Sequence, residues 1–347
     1  MDSGENRMAS RKDVAERAGV SAAAVSYVLN NKAGVSESTR KKVWAAIEEL
    51  GYAPSHAARS LKTRKTYNLT VLVNYLGDPF EAGLLNHLEE KAREKGYFIH
   101  FQTYYPGIEQ DLRRSVPGRI DGLLLLGQVL QPATWSMLEE EGIPVVSVTR
   151  AGGEIRQGAA WVDVDWADGM GKLIGHLTEF GHRRIALMAN GSPNHPHSYR
   201  LGAFLEEMGK RGLPVGAEDI LYGAGRLEQA REAMEAYIQA GRLGSHSAFI
   251  AVSDLMAAGV LTACREAGMV VPGQISIAGC ENILMSHQTT PAVTVLNVYR
   301  PELASRAIDL MIRLLNGETG ANSLLQAPLL IRASSDRQMG GGEEREN

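Results

Sequence analysis

The side chains able to do chemistry in this chain of 347 residues fall into three unequal groups: a hydroxyl- and cation-rich N-terminal stretch, a histidine pair and two cysteines. His195 and His197 stand two apart in Asn194-His195-Pro196-His197, a proline-containing loop with no neighbouring cysteine or spaced carboxylate to complete a metal-ligand set. Cys264 and Cys280 can build neither a disulfide framework nor a zinc site of paired cysteines. The chain carries no Gly-x-Ser-x-Gly elbow, no Walker-type phosphate loop and no strand-linked Gly-x-Gly-x-x-Gly. The expectation is a binding protein with no catalytic residue, no metal and no cofactor.

The cations point to the partner. The formal charge of the chain is −4, but residues 1–65 hold 12 Lys or Arg against 7 Asp or Glu, net +5, and the remainder is net −9. A basic head on an acidic body keeps the attraction for phosphate local and turns the head toward nucleic acid. Hydrophobic residues make up 44% of the sequence, yet no apolar run approaches the ~18 residues of a membrane span, so a soluble protein without a membrane partner is expected. Met1 to Ser10 lacks the basic start and apolar centre of a secretory signal, which predicts a cytoplasmic location.

The elements that must position these groups begin at Ser10. With Asp13 three residues on, it reads as a capping box opening a helix that ends at Gly19. Ser21 caps a second helix from Ala22 to Asn30, and the two meet across a tight turn. Ala15, Ala18, Val20, Val25, Val28 and Leu29 are spaced to close a small core, which leaves Ala22, Ala23, Ser26 and Tyr27 on the exposed N-terminal half of helix two. In a helix-turn-helix that half enters the major groove. Ser36 caps a third helix, with Val43, Trp44, Ile47 and Leu50 as its apolar stripe and Gly51 as its stop. Pro54-Ser55 then opens a short helical stretch to Lys62.

Residues 11–62, through Asp13-Val14-Ala15, Ala18-Gly19-Val20-Ser21, Val25-Ser26, Val28-Leu29-Asn30, Val35-Ser36, Thr39-Arg40 and Gly51-Tyr52-Ala53-Pro54, resemble the headpiece and hinge of LacI/GalR family regulators. The resemblance implies that helix two reads the major groove, that Ser10, Asn30, Ser36, Thr39 and Tyr52 position the phosphate backbone, and that the hinge helix inserts Leu61 into the minor groove beside Lys62. The sequence departs from the family at Ala22-Ala23-Ala24, where polar side chains are common. Alanine offers only methyl contact, chiefly to thymine, so readout is expected to shift to Ser21, Ser26 and Tyr27 and to DNA deformability.

From Leu69 onward short apolar runs alternate with amphipathic helices: Leu69–Val73, Tyr97–Phe101, Gly122–Leu126, Val145–Val148, Ile185–Met188, Phe249–Val252 and Ile275–Ala278 read as buried parallel strands. About 270 residues exceeds one sheet, which predicts two doubly wound α/β lobes with a ligand cleft at the strand ends. Gly181-His182-Arg183-Arg184 reads as a helix stop and a solvated basic turn, and Asp254 as a helix cap. The family resemblance continues through Arg119–Leu123, Phe180–Ala186, Arg200–Phe204, Ser253–Gly259, Thr290–Thr294 and Pro328–Arg332, covering roughly residues 10–335. It implies a periplasmic-binding-protein-like effector domain whose chain crosses between lobes near 160, 290 and 320. It also implies that Arg200, Phe80, Thr149, Asn194, Ser253 and Glu281 face the cleft. Thr149 stands where many sugar-binding members carry a carboxylate, and Glu281 where they carry Asp, which leaves the ligand class open, with a sugar as one candidate.

The domain reading is a helix-turn-helix headpiece at 10–54, a hinge helix and linker at 55–66, an N-terminal lobe at 67–161 with 291–320, a C-terminal lobe at 162–290 with 321–336, and a disordered tail at 337–347. The functional expectation is a sequence-specific transcriptional regulator, a repressor by family default. It would bind a palindromic operator in double-stranded DNA as a homodimer, with a small-molecule effector tuning affinity allosterically. Two alternatives are the same regulator controlled by a partner protein with an idle cleft, and, from another class, a solute-binding receptor.

Overall fold

In a computed structural model, which describes residues 9–29, 32–52, 65–105, 107–149, 159–191, 198–242 and 244–336, contacts divide the chain between residues 66 and 67 into two units. The expected hinge helix with Leu61 and Lys62, Asn30, Asn194 with the His195–His197 loop, and the tail at 337–347 lie outside the described residues.

In the first unit, α1 (Arg11–Ala18) opens with the expected capping box: Ser10 Oγ accepts from Asp13 N at 3.3 Å while Ser10 N donates to Asp13 Oδ2 at 2.6 Å. Gly19 ends it in the left-handed region at φ 64°, where a side chain would be strained. α2 (Ala22–Leu29) and α3 (Glu37–Glu49) complete the unit. Its core is Val14, Ala15, Ala18, Val25, Val28, Val43 and Ala46, edged by Val20, Leu29, Ile47, Leu50 and Tyr52. Trp44 does not join it and is 50% exposed. The buried row of α3 runs 43, 46, 47, 50, and a residue directly after Val43 is turned about 100° away from it.

The second unit is built on two sheets. β1 (Asn68–Val73), β2 (Phe98–Thr103), β3 (Gly122–Leu126), β4 (Val145–Val148), β5 (Ala160–Val164) and β11 (Ser323–Leu325) form one, in the order β11-β5-β4-β3-β1-β2, all parallel. β6 (Ile185–Ala189), β7 (Ile220–Tyr222), β8 (Ala248–Ala251), β9 (Ser276–Gly279), β10 (Thr294–Leu296) and β12 (Leu329–Leu330) form the other, in the order β12-β10-β9-β8-β6-β7, with only β12 antiparallel. The helices between strands are α4 (Pro79–Glu94), α5 (Ile108–Ser115), α6 (Pro132–Glu140), α7 (Trp166–Glu179), α8 (Ser198–Lys210), α9 (Leu227–Gln239), α10 (Asp254–Glu266), α11 (Leu284–Gln288) and α12 (Arg300–Leu315). β3 shows why its sequence is an unbroken apolar run: Leu124 and Leu126 join one core while Leu123 and Leu125 join another on the opposite face.

The lobe boundaries differ from the expected 161, 291–320 and 321–336. β5 and β11 pair within the first sheet and β10 within the second. The chain therefore crosses after Val164, after Leu296 and after Leu325, a few residues later each time. β10 and β11 are three-residue strands, and so short a run carries no signal of which sheet it will pair with. The turn after α7 also differs. Gly181 ends the helix at φ 90°, but His182 is buried, with Nδ1 2.8 Å from Ser247 Oγ and Nε2 2.9 Å from the Asp336 carbonyl oxygen. No helix among the described residues is long and apolar enough to cross a membrane.

Candidate functional sites: the helix-turn-helix face and the inter-lobe cavity

On the first unit, three of the four serines expected to meet DNA stand at the N-termini of the three helices. Ser10 caps α1, Ser21 Oγ accepts from Ala24 N at 3.1 Å, and Ser36 Oγ accepts from Thr39 N at 3.2 Å and lies 2.9 Å from Thr39 Oγ1. Each helix start is thereby fixed, and helix N-termini favour anions. Ala22 and Ala23 are exposed. The Ser26 hydroxyl is engaged with its own helix, donating to the Ala22 carbonyl at 3.0 Å while accepting from Arg11 Nη1 at 3.2 Å. Tyr27 is 46% exposed with Lys32 Nζ 5.9 Å from its ring centre, and it is the large side chain that α2 offers to solvent. Tyr52 packs half-buried against the core, its N–H on the Ile47 carbonyl at 3.0 Å.

In the second unit, a cavity of about 240 Å³ lies at the carboxyl ends of the strands, between the two lobes. Of the side chains expected there, Phe80, Thr149 and Arg200 line it. Thr149 follows β4 in the left-handed region at φ 56°, and its hydroxyl donates to the Val148 carbonyl at 2.6 Å. Arg200, on α8, has a side chain only 3% exposed. Its Nη1 donates to Glu281 Oε1 at 2.9 Å and to the Val252 carbonyl, and its guanidinium lies 3.9 Å from the Trp166 ring centre. Nε has no hydrogen-bond partner among the described residues.

Glu281 and Ser253 stand elsewhere than expected. Glu281 is buried behind Arg200, where Oε2 also accepts from Asp254 N at 3.2 Å. Burial pushes its carboxyl above the ordinary carboxylate range, and the Arg200 guanidinium pulls it back toward the charged form. Ser253 is the cap of α10, its Oγ accepting from Met256 N at 3.3 Å. The Asp254 carboxylate is correspondingly not the cap. Its two oxygens accept from Glu281 N and Ile283 N, both at 3.0 Å, and hold the turn after β9. Gly279 permits this approach, because a Cβ there would sit 2.3 Å from Asp254 Oδ1.

Sequence reasoning missed the acidic loop after β1 and the turn before α9. Asp78 caps α4, Oδ1 accepting from Phe80 N at 2.7 Å and Glu81 N at 3.4 Å. Glu81 is buried and accepts from Asn74 N at 2.9 Å, Asn74 Nδ2 at 2.8 Å and Tyr75 N at 3.1 Å. Arg226 lies across the cavity with its guanidinium 3.3 Å from the Tyr75 ring centre, a contact between lobes. Asp78-Pro79 is a recognisable helix-start signal, but no sequence signal marks Arg226 as facing it.

Burial raises the Glu81 carboxyl to about 7, overcoming three N–H donors. Because the folded state then holds this proton more tightly than the unfolded chain, its contribution to stability is full below about pH 4.5 and is lost as pH rises through about 7. We expect about 3 kcal/mol of stability to be lost over that window. Urea unfolding of Glu81→Gln should show a correspondingly flatter pH profile, and an unchanged slope would contradict the assignment.

Comparison with known proteins places both sites in context. Residues 11–55 match the family model described as bacterial regulatory proteins, lacI family, and residues 174–335 match a periplasmic binding protein-like domain. The HTH-type transcriptional repressor PurR of Proteus mirabilis is 32% identical over 334 residues, covering 94% of this chain and 97% of the relative. PurR of Klebsiella pneumoniae is 30% identical with the same coverage. Among solved structures, the Lac repressor dimer bound to operator and the anti-inducer ONPF superposes with a TM-score of 0.83 at 22% identity, covering 95% of this chain and all of that one. The complex of the regulator CelR with cellobiose superposes at 0.69 with 27% identity, covering 94% of this chain and all of that one.

Proposed function

Because this chain belongs to the LacI family of bacterial regulatory proteins, we propose that it is a transcriptional repressor that binds a palindromic operator as a homodimer and changes its DNA affinity when a small molecule enters the inter-lobe cavity. The observation that carries the effector half is Arg200, a buried cation lining that cavity whose Nε has no hydrogen-bond partner among the described residues. Leaving such a donor unmet is costly, and a ligand acceptor would repay the cost.

On this reading the exposed half of α2 enters the major groove, with Tyr27 supplying base contact and Ala22 and Ala23 supplying methyl contact. The helix starts at Ser10, Ser21 and Ser36 meet phosphates, with Thr39, Tyr52 and Asn30, while Leu61 and Lys62 act in the minor groove. Dimerisation uses the body, where the edge strand β2 exposes Phe98 and Phe101. An effector that prefers one arrangement of the lobes biases DNA binding by roughly 1–3 kcal/mol. Its DNA partner places its work in the cytoplasm, and no catalytic step enters this reading.

Tyr27→Ala is expected to lower discrimination between operator and random duplex by about 1–3 kcal/mol, measured by competition in fluorescence anisotropy. Equal preference before and after the change would remove Tyr27 from readout. The whole reading is tested by titrating the full chain onto a palindromic duplex at several salt concentrations, then adding a compound that raises its melting temperature. Steeply salt-dependent nanomolar binding that shifts with the compound, and no longer shifts in Arg200→Ala, is the expected result. Binding indifferent to every compound that stabilises the body would favour control by a partner protein.

A further inference from the structure

The two walls of the inter-lobe cavity carry opposite charge. From the N-terminal lobe come Asp78 and Glu81, and from the C-terminal lobe Arg200 and Arg226. Arg200 is already matched by Glu281 at 2.9 Å, so the charges left facing one another are chiefly Asp78 and Arg226. Neither has an ion-pair partner among the described residues. Asp78 commits only Oδ1 to capping α4, and Oδ2 has no hydrogen-bond partner among the described residues. Arg226 uses the face of its guanidinium on Tyr75, which leaves its edge donors open. No ion pair within 4 Å joins Asp78 to Arg200 or Arg226, and burial holds its carboxyl above the ordinary range while its two backbone N–H donors and both guanidiniums pull it down. Opposite charges that face a cavity without collapsing onto each other are arranged for a molecule that separates them.

This pattern discriminates among ligands. A sugar supplies hydroxyls but no charge for either wall. An organic acid would satisfy the arginines and meet Asp78 with repulsion, and an amine would do the reverse. A neutral molecule with separated charges satisfies both walls at once. Arg226 immediately precedes α9, whose N-terminal dipole adds to the preference for an anion on that side, whereas the start of α4 is already capped by Asp78. Phe80 and Leu84 give the cavity apolar surface for a side chain.

We infer that the effector is a small zwitterion, an α-amino acid or close analogue, with its ammonium on Asp78 Oδ2 and its carboxylate on the guanidinium edge of Arg226, beside the charge of Arg200. The inference rests on the reading of this cavity as the effector site. Its test uses the full chain in calorimetric titration with each of the twenty L-α-amino acids, a set of monosaccharides and nucleobases, and, for any amino acid that binds, its 2-hydroxy acid and its decarboxylated amine. At least one amino acid should bind, and both matched analogues should bind about tenfold or more weakly, the loss expected for one charge-assisted contact. Asp78→Asn retains the capping oxygen and should erase the preference for the amino acid over the hydroxy acid, while Arg226→Gln should erase the preference over the amine. Binding of a monosaccharide or nucleobase alone, or amino-acid binding that Asp78→Asn leaves unchanged, overturns the zwitterion and leaves the effector site standing. Failure of every compound to bind overturns both.

Discussion

Val25→Asp should reduce operator affinity of the full chain by at least about 10³-fold, to the level of non-specific binding or below. Val25 is fully buried in a core of seven side chains, Val14, Ala15, Ala18, Val25, Val28, Val43 and Ala46. An unpaired carboxylate in so small a core costs several kcal/mol, and a unit of this size has about that much stability to lose. The helix-turn-helix would unfold and its DNA-binding face with it. The second unit has separate cores, so its melting transition should stay within a degree or two of the parent. Anisotropy with a labelled duplex and calorimetry of the same sample read both halves of the expectation. Loss of DNA binding accompanied by an equal loss of body stability would mean the two units do not fold on independent cores.

Glu281→Ala should destabilise the body by about 3–5 kcal/mol, because it leaves the Arg200 guanidinium buried without its counter-charge. Arg200 and Glu281 side chains are 3% and 1% exposed and 2.9 Å apart, so solvent cannot take over. The substitution also removes the acceptor for Asp254 N at the start of α10. Glu281→Gln keeps a carbonyl acceptor in the same place and should cost less, roughly 1–3 kcal/mol. The double replacement Arg200→Met with Glu281→Leu removes both charges together and should recover most of the stability while abolishing effector response. Urea unfolding separates the three. If the double variant is as unstable as Glu281→Ala, the pair contributes through shape or hydrogen bonding rather than through charge.

The contrast between these two sites also explains what could be read from the sequence. The helix-turn-helix was legible because its signals are local: a capping box four residues long, a glycine in the left-handed region, and apolar residues at helical spacing. Trp44 shows the limit even there, since type suggested burial while spacing put it on the far side of α3. The long buried strands were legible as continuous apolar runs, but three-residue strands such as β10 and β11 take their sheet from tertiary pairing. In the cavity, family resemblance led to Phe80, Thr149 and Arg200. It could not separate a side chain that faces the cavity from Glu281, which stands directly behind one. Asp78 and Arg226 lie about 150 residues apart in sequence and meet only across the cleft, so their opposition becomes visible only in the folded chain.

The central claim, a dimeric repressor that reads DNA through α2, is tested most directly by selecting bound duplexes from a random pool with the full chain. Two inverted half-sites around an easily kinked central step should be enriched, and Tyr27→Ala should relax the sequence within each half-site while leaving their spacing unchanged. A single asymmetric motif, or no enrichment over the starting pool, would contradict it.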